Sequence, residues 1–445
     1  MRNPYVTGSY VTGSQHYGRE DLLDYLLNGG SRACWVVGTR RIGKTSLLRQ
    51  LELLAGAGKR LVPLYWDMQG AVSLAYLGRY LADAVRDRAD LFEPLGVTPA
   101  LLEEEDPLAL LVNLRRLVQR AGRELLLLCD ETEVLIHIAA AEPQAMQRLH
   151  SQLTAGVGLR VVMASTRQIY RMHDVCRDWH TSPFLAGFDM SLTLGSLKPE
   201  AAEALILQAQ ASRRVRAAQE TVDAVSRATN NHPFLLQVLC SRLFLTSGRL
   251  RGLTPEDLRV DPLLAGFFEH DFRQLTNADR KTVLAVHRER LADEAQLMKI
   301  TGDNPVEQSL RLQNLESLGY LRRAYGRIEI GNDFLANWLA ATGEQLDRLP
   351  AAETSEGAAR RAFVRQQQQD TPSLVAQLNA RRLRLVELEL VRAQELMNVP
   401  PQVLAEIERV ENEIAALRSM LARRNALPSP ASERFPEHDN IHPAG

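Results

Sequence analysis

The sequence predicts an α/β fold built on a parallel sheet, followed by an all-α segment, a winged helix and a C-terminal helical hairpin. Three observations carry this. Between residues 33 and 194, short apolar runs alternate with segments of helical periodicity. After Pro199 the strand-like runs give way to consecutive helical patterns, until two short runs flank Tyr325-Gly326. Beyond residue 372, apolar side chains recur at spacings of three and four on both sides of a Pro-Pro pair.

Residues 1–18 are rich in Gly, Ser, Thr and Tyr and read as an extended lead-in. Leu22, Leu23, Leu26 and Leu27 give residues 19–29 a helical stripe that stops at Gly29-Gly30. ACWVVG (33–38) is a short buried strand, TSLLRQLELLAG (45–56) a helix, and LVPLYWD (61–67) a second strand. Helical patterns follow near 73–89 and 107–120. ELLLLCDE (124–131), LRVVMAS (159–165) and SLTL (191–194) complete the strands. The first two of these lack in/out alternation, as strands covered on both faces do. Residues 199–270 read as helices only. Helices at about 277–290, 294–300 and 305–318, then YLRRA and RIEIG, outline the winged helix. The QQQQD run marks 346–372 as a linker. In 373–425, Leu383, Val386, Leu390, Ala393 and Met397 face Val403, Ile407, Val410, Ile414, Leu417 and Leu421 across a turn at Pro400-Pro401. The polar tail at 426–445 reads as disordered.

At 445 residues the chain exceeds one core. Its 53 basic and 54 acidic residues balance to a net charge of -1, which gives no electrostatic case for nucleic acid or an anionic membrane as the main partner. No apolar run is long enough to span a bilayer. Cys34, Cys129, Cys176 and Cys240 form no C-x-x-C pair, and we read them as reduced thiols in a cytoplasmic protein.

The sharpest motif is Gly38-Thr39-Arg40-Arg41-Ile42-Gly43-Lys44-Thr45, which fits G-x-x-x-x-G-K-[ST] between a buried strand and a helix. Its glycines allow a tight turn whose N–H groups face a phosphate, and the helix N-terminus adds a favourable dipole. Lys44 is placed for the outer phosphates and Thr45 for Mg²⁺, with Ser46 next in line. Asp130, at the carboxyl end of LLLLCD, is placed to hold the same Mg²⁺, and Glu131 to orient or deprotonate the attacking water. Arg167, ending Ala164-Ser165-Thr166-Arg167, is a candidate sensor of the γ-phosphate. The ligand these residues predict is ATP or ADP with Mg²⁺.

In this order the motifs resemble those of prokaryotic STAND-type AAA+ ATPases, relatives of the NB-ARC and origin-recognition ATPases. Tyr17-Gly18-Arg19-Glu20 is similar to the family's segment against the adenine, GTRRIGKTSLL to its Walker A, CDE to its Walker B and Ser165-Thr166-Arg167 to its sensor arginine. Asn230-Asn231-His232-Pro233-Phe234 is similar to the lid motif whose proline packs near the adenine. The resemblance implies an α/β P-loop NTPase domain over 19–197, a helical lid over 198–270 and a winged helix over 271–345. It implies adenine contacts for Tyr17, Arg19 and Pro233. Where many relatives carry a His-Asp pair that holds ADP, this chain has Asn332-Asp333. The hairpin resembles helical modules that recruit effectors. The activity implied is a slow ATPase that exchanges ADP for ATP, self-associates in the ATP state and engages an effector through 373–425, in a process such as bacterial defence.

Other residues carry less. His173, Cys176 and His180 have zinc-like spacing but no second cluster to complete a site. His137, between Ile136 and Ile138, reads as packed. Arg40 and Arg41 read as solvated loop charges, with arginine fingers to a neighbouring copy's nucleotide as the alternative. Arg311, Arg322, Arg323 and Arg327 offer the rival reading, a DNA-binding AAA+ ATPase of the origin-recognition or transposition-helper type that uses its winged helix. Overall neutrality disfavours DNA as the main partner.

Overall fold

The structure is a computed structural model, and it describes residues 2–29, 31–103, 106–154, 156–166, 168–169, 172–176, 188, 190–302, 304–324, 326–342 and 407. The chain divides into two compact units, Met1–Ala359 and Arg360–Gly445. The sheets and the helices packed on them lie in the first unit. The expected linker, hairpin and tail lie outside the described residues, apart from Ile407.

Helix α1 (Glu20–Asn28) precedes strand β1 (Ala33–Gly38), and α2 (Lys44–Gly56) leads to β2 (Leu61–Asp67). Helices α3 (Leu74–Arg86), α4 (Ala89–Phe92) and α5 (Pro107–Arg120) precede β3 (Glu124–Asp130). Helices α6 (Val134–Ala141) and α7 (Pro143–Leu153) precede β4 (Leu159–Ser165), and α8 (Met172–Val175) precedes β5 (Met190–Leu194). The start of α5 shows the local logic. Asp106 accepts the Leu108 N–H at 3.0 Å, and Pro107 fills the first helical position, where no N–H is needed.

The five strands form one parallel sheet in the order β2-β3-β4-β1-β5. Every residue of β1 and β4 is buried, which explains why neither reads as alternating. The alternation is hidden in two apolar faces. Trp35, Val37, Leu125, Leu127, Cys129, Val161 and Met163 join one core with α3, α5, α6 and α7. Cys34, Val36, Leu126, Leu128, Val162 and Ala164 join the other with α1 and α2. The register pairs Val37 with Ser165, and Asp67 with Asp130, so the strands' carboxyl ends share one edge.

Helices α9 (Pro199–Ile206), α10 (Gln219–Thr229) and α11 (Pro233–Leu243) follow. A small antiparallel pair, β6 (Phe244–Leu245) and β7 (Arg249–Leu250), interrupts what the sequence presents as helix only. Two-residue strands are too short to leave a periodic signal. After α12 (Pro262–Arg273) come α13 (Asn277–Glu289), α14 (Glu294–Thr301) and α15 (Pro305–Ser317). The antiparallel hairpin β8 (Leu321–Ala324) and β9 (Arg327–Ile330) leads into α16 (Asp333–Thr342). One apolar cluster runs through all of this half, from Leu205 and Leu235 to Phe272 and Trp338, and takes in Tyr5 and Tyr17. Trp338 meets Phe272 edge to face at 5.5 Å and lies tilted against Phe268 at 5.9 Å between ring centroids.

All four cysteines are buried, and none is in a disulfide. Among the described residues no helix is long and apolar enough to cross a membrane, and no cluster of three or more His, Cys, Asp or Glu side chains could hold a metal ion. His137 differs from its expectation. Its neighbours Ile136 and Ile138 are buried, but its own side chain is exposed on α6.

Candidate functional site

The loop between β1 and α2 is shaped by its glycines. A Cβ at Gly38 would stand 2.7 Å from Ile42 Cγ2 and 2.8 Å from the Leu194 carbonyl oxygen. Gly43, with φ 104°, turns the chain into α2, and Arg41 also takes a positive φ of 57°. Lys44 is buried, and its Nζ donates to the Gly38 and Thr39 carbonyls at 3.2 and 3.1 Å. These bonds fold the lysine back over its own loop.

Thr45, the first residue after Lys44 on α2, meets Asp130 at the end of β3. Its Oγ1 donates to Asp130 Oδ2 at 2.6 Å. The same oxygen accepts the Tyr65 hydroxyl at 2.8 Å, and Oδ1 accepts the Glu131 N–H at 3.0 Å. Three donors thus hold a carboxylate that is only 1% exposed. A hydroxyl beside a fixed carboxylate is a donor set suited to a hard divalent cation such as Mg²⁺.

Glu131 turns out of β3 with φ 52° and faces the cavity. Loss of water pushes its carboxyl up, Glu133 and Asp130 add to the shift, and Lys44 and Arg40 oppose it. Glu133 accepts the Thr166 N–H. Tyr65 is kept protonated because burial and the Asp130 charge both raise it. Its ring carries the Arg49 guanidinium at 3.4 Å. Arg49 in turn pairs with Glu52 at 2.8 Å, and Glu52 with Arg88 at 2.9 Å.

Around this corner lies a cavity of about 520 Å³, a size ordinary for small-molecule sites. One end is polar, with Lys44, Thr45, Glu131 and Thr166. The other is more apolar, with Leu197, Leu205, Pro233 and Phe234. The lead-in segment covers it. Asn3 bonds Ser241, Val6 N donates to Gln237, Val11 N to Ser46 Oγ at 3.1 Å, and Gly13 N to Gln50 at 2.7 Å. Glu133 Oε2 and Thr166 Oγ1, on residues that line the cavity, are buried with no partner among the described residues, a deficit that a polar ligand there would relieve.

Of the residues expected at the site, Arg40, Arg41, Ile42, Gly43, Lys44, Thr45, Ser46, Glu131, Tyr17, Arg19 and Pro233 all line this cavity. Gly38, Thr39 and Asp130 lie behind its wall. Arg167 is outside the described residues. Arg19 donates to the Gly195 and Ser196 carbonyls, and burial lowers its guanidinium to about 10. Arg41 is engaged within the chain, over the Phe234 ring at 4.6 Å and on the Thr7 carbonyl at 3.1 Å. His232, beside Pro233, is buried against Phe267, and burial pushes it down to about 3, so it stays neutral.

Sequence reasoning missed three groups. Tyr65 reads only as a strand residue, and the lead-in segment gives no sign of where it docks. The third is Asp271 of α12, whose Oδ1 accepts the Arg40 N–H at 3.3 Å.

No protein-family model matches the sequence, and no curated protein matches it. Among solved structures, the chain is similar to the Walker-type ATPase PABY2304 of Pyrococcus abyssi. The identity is 14%, over 75% of this chain and 99% of that one, with a TM-score of 0.55. The Aeropyrum pernix ORC2 protein is 14% identical over 77% of this chain and 98% of its own, with a TM-score of 0.46. The first likeness, together with the parallel sheet and the loop after β1, gives this chain the α/β P-loop NTPase fold.

Proposed function

We propose that this chain binds ATP or ADP with Mg²⁺ in the cavity, hydrolyses ATP slowly, and serves as a STAND-type AAA+ signalling switch. The observation that carries the nucleotide reading is the Thr45–Asp130 pair at 2.6 Å, at the mouth of a phosphate-type loop whose lysine is already buried.

Each residue has a task. The loop amides from Arg40 to Thr45 receive phosphate oxygens, aided by the α2 dipole. Lys44 leaves the Gly38 and Thr39 carbonyls to neutralise the outer phosphates. Thr45 and Asp130 hold Mg²⁺, which supplies charge neutralisation on the outer phosphates. Glu131, with its carboxyl raised by burial, orients water and takes its proton. Arg167 is assigned to the terminal phosphate by its place just past the 159–165 strand and by the family resemblance. Tyr17, Leu197, Leu205 and Pro233 supply the less polar end for the base.

We read α13 to α15 with the β8–β9 hairpin as a winged helix. The DNA-binding rival draws little support from three of its four arginines. Arg311 pairs with Asp279 at 3.3 Å, Arg322 with Glu329 at 2.6 Å, and Arg323 with Glu294 and Glu316 at 2.8 and 2.9 Å. Charges already neutralised within the chain are poorly placed to neutralise phosphates. Self-association in the ATP state and effector engagement through 373–425 complete the proposal, and both rest on the family resemblance.

The test is light scattering of the purified chain with ADP, with a slowly hydrolysed ATP analogue, and with neither. The switch reading expects the analogue to produce a defined oligomer that Lys44→Ala does not form. A mass independent of nucleotide would sink the switching part of the reading, and duplex DNA would become the partner to try.

A further inference from the structure

Helix α12 reaches the phosphate loop from the helical half of the molecule. His270 and Gln274, one turn apart, line the cavity. Asp271, between them in sequence, is only 5% exposed and sits on the loop itself, its Oδ1 accepting the Arg40 N–H. Its backbone carbonyl accepts the Tyr320 hydroxyl at 3.4 Å, which ties this turn of α12 to the segment before β8. The proposed chemistry does not use this carboxylate. Asp130 and Glu131 already account for the metal and the water.

Phosphate loops are built to receive anions, and Asp271 is an anion supplied by the chain. Arg40 and Lys44, the two cations that act on Asp271, also act on Glu131, the carboxylate assigned to the attacking water. His270 and Gln274 on the same helix line the cavity together with Lys44 and Glu131, so we take the phosphate nearest Asp271 to be the terminal one of a bound triphosphate. Burial pushes the Asp271 carboxyl up to about 7, with Lys44 and Arg40 pulling it back, so at pH 8 it is charged. His270, lowered by burial, brings no compensating positive charge.

We propose that Asp271 is a specificity-determining residue that makes this form of the chain favour a nucleoside diphosphate over a triphosphate. It does so by occupying the Arg40 amide and placing a negative charge where the terminal phosphate would lie. The inference rests on the nucleotide-site reading above. Accepting a triphosphate then requires α12 to withdraw from the loop, which couples the terminal phosphate to the position of the helical half.

The experiment measures binding of ADP and of an imido ATP analogue, each with Mg²⁺, by calorimetry at pH 8. Wild type is compared with Asp271→Asn and Asp271→Ser, with thermal unfolding as the check on folding. Wild type should bind the diphosphate more tightly. Both variants should shift the affinity ratio toward the triphosphate by about tenfold or more, the scale of one partly screened charge pair. If wild type binds both but prefers the triphosphate, or if a folded variant leaves the ratio unchanged, the Asp271 inference fails and the nucleotide site stands. If wild type binds neither, the nucleotide reading fails and takes this inference with it.

Discussion

Replacing Tyr65 with Phe removes one hydroxyl and leaves the ring. The ring matters separately, because Arg49 stacks on it at 3.4 Å and is itself anchored by Glu52. The lost bond is one of three donors to Asp130, two of them on the same oxygen at 2.6 and 2.8 Å. A hydrogen bond to a buried charged group is worth about 1.5–3 kcal/mol, so Tyr65→Phe should lower unfolding stability by roughly that amount. In the proposed site Thr45 would turn to the metal ion, and Tyr65 would be the side chain left to fix the Asp130 carboxylate's orientation. Loss of such an outer partner weakens metal binding about 10–100-fold. The assay is a Mg²⁺ titration at saturating ADP, read by Mn²⁺ displacement in paramagnetic resonance, alongside urea unfolding. A variant that keeps wild-type metal affinity would refute the positioning role, whatever its stability. Wild-type stability together with wild-type affinity would refute the reasoning about the bond itself.

Two further outcomes concern other parts of the site. The Asp271 carboxyl is raised from 3.8 to about 7 in the folded chain, facing Lys44 and Arg40 from the loop and Tyr320 from the helical half. A raised folded value means stability that is full below about pH 4 and lost as pH climbs to about 7, worth up to about 4 kcal/mol at roughly 1.4 kcal/mol per unit. Urea unfolding of wild type minus Asp271→Asn should therefore fall across that window and stay flat above it, and a rising difference would contradict the assignment. Gly38→Ala should cost about 1–3 kcal/mol through overpacking. The new methyl meets the Leu194 carbonyl, which cannot retreat without disturbing the Gly38–Leu194 register of β1 and β5. Unchanged thermal unfolding would show that the loop has more room than these distances allow.

What the sequence discloses is what short-range physics writes into it. The phosphate loop is contiguous, and its strand and helix have their own periodicities, so Gly38 to Thr45 can be read directly. Asp130 is legible because an all-apolar strand ends on an acid. Helix α5 is legible from its apolar spacing between residues 107 and 120. Asp271 is not, because its partner Arg40 lies 231 positions away and no local pattern links them. Tyr65 looks like any aromatic in a strand, since a hydroxyl's partner is set by which strand becomes the neighbour. The β2–β3 pairing that brings it to Asp130 is a property of the whole sheet. His137 misleads because two buried isoleucines flank it, while a helix turns successive residues about 100° apart and sends the middle one outward.

The lead-in segment has a mechanical consequence. Its residues are stitched to α11 on one bank, through Ser241 and Gln237, and to α2 on the other, through Ser46 and Gln50. The α2 bank belongs to the sheet half and the α11 bank to the helical half, the two halves that the proposed exchange of nucleotide would part. Each stitch is worth about 0.5–1.5 kcal/mol, small enough to break yet too many to break one by one without notice. Parting therefore means breaking the two bonds to one bank together. The ribbon must come away whole from one bank, and the gap then opens with the ribbon still carried by the other.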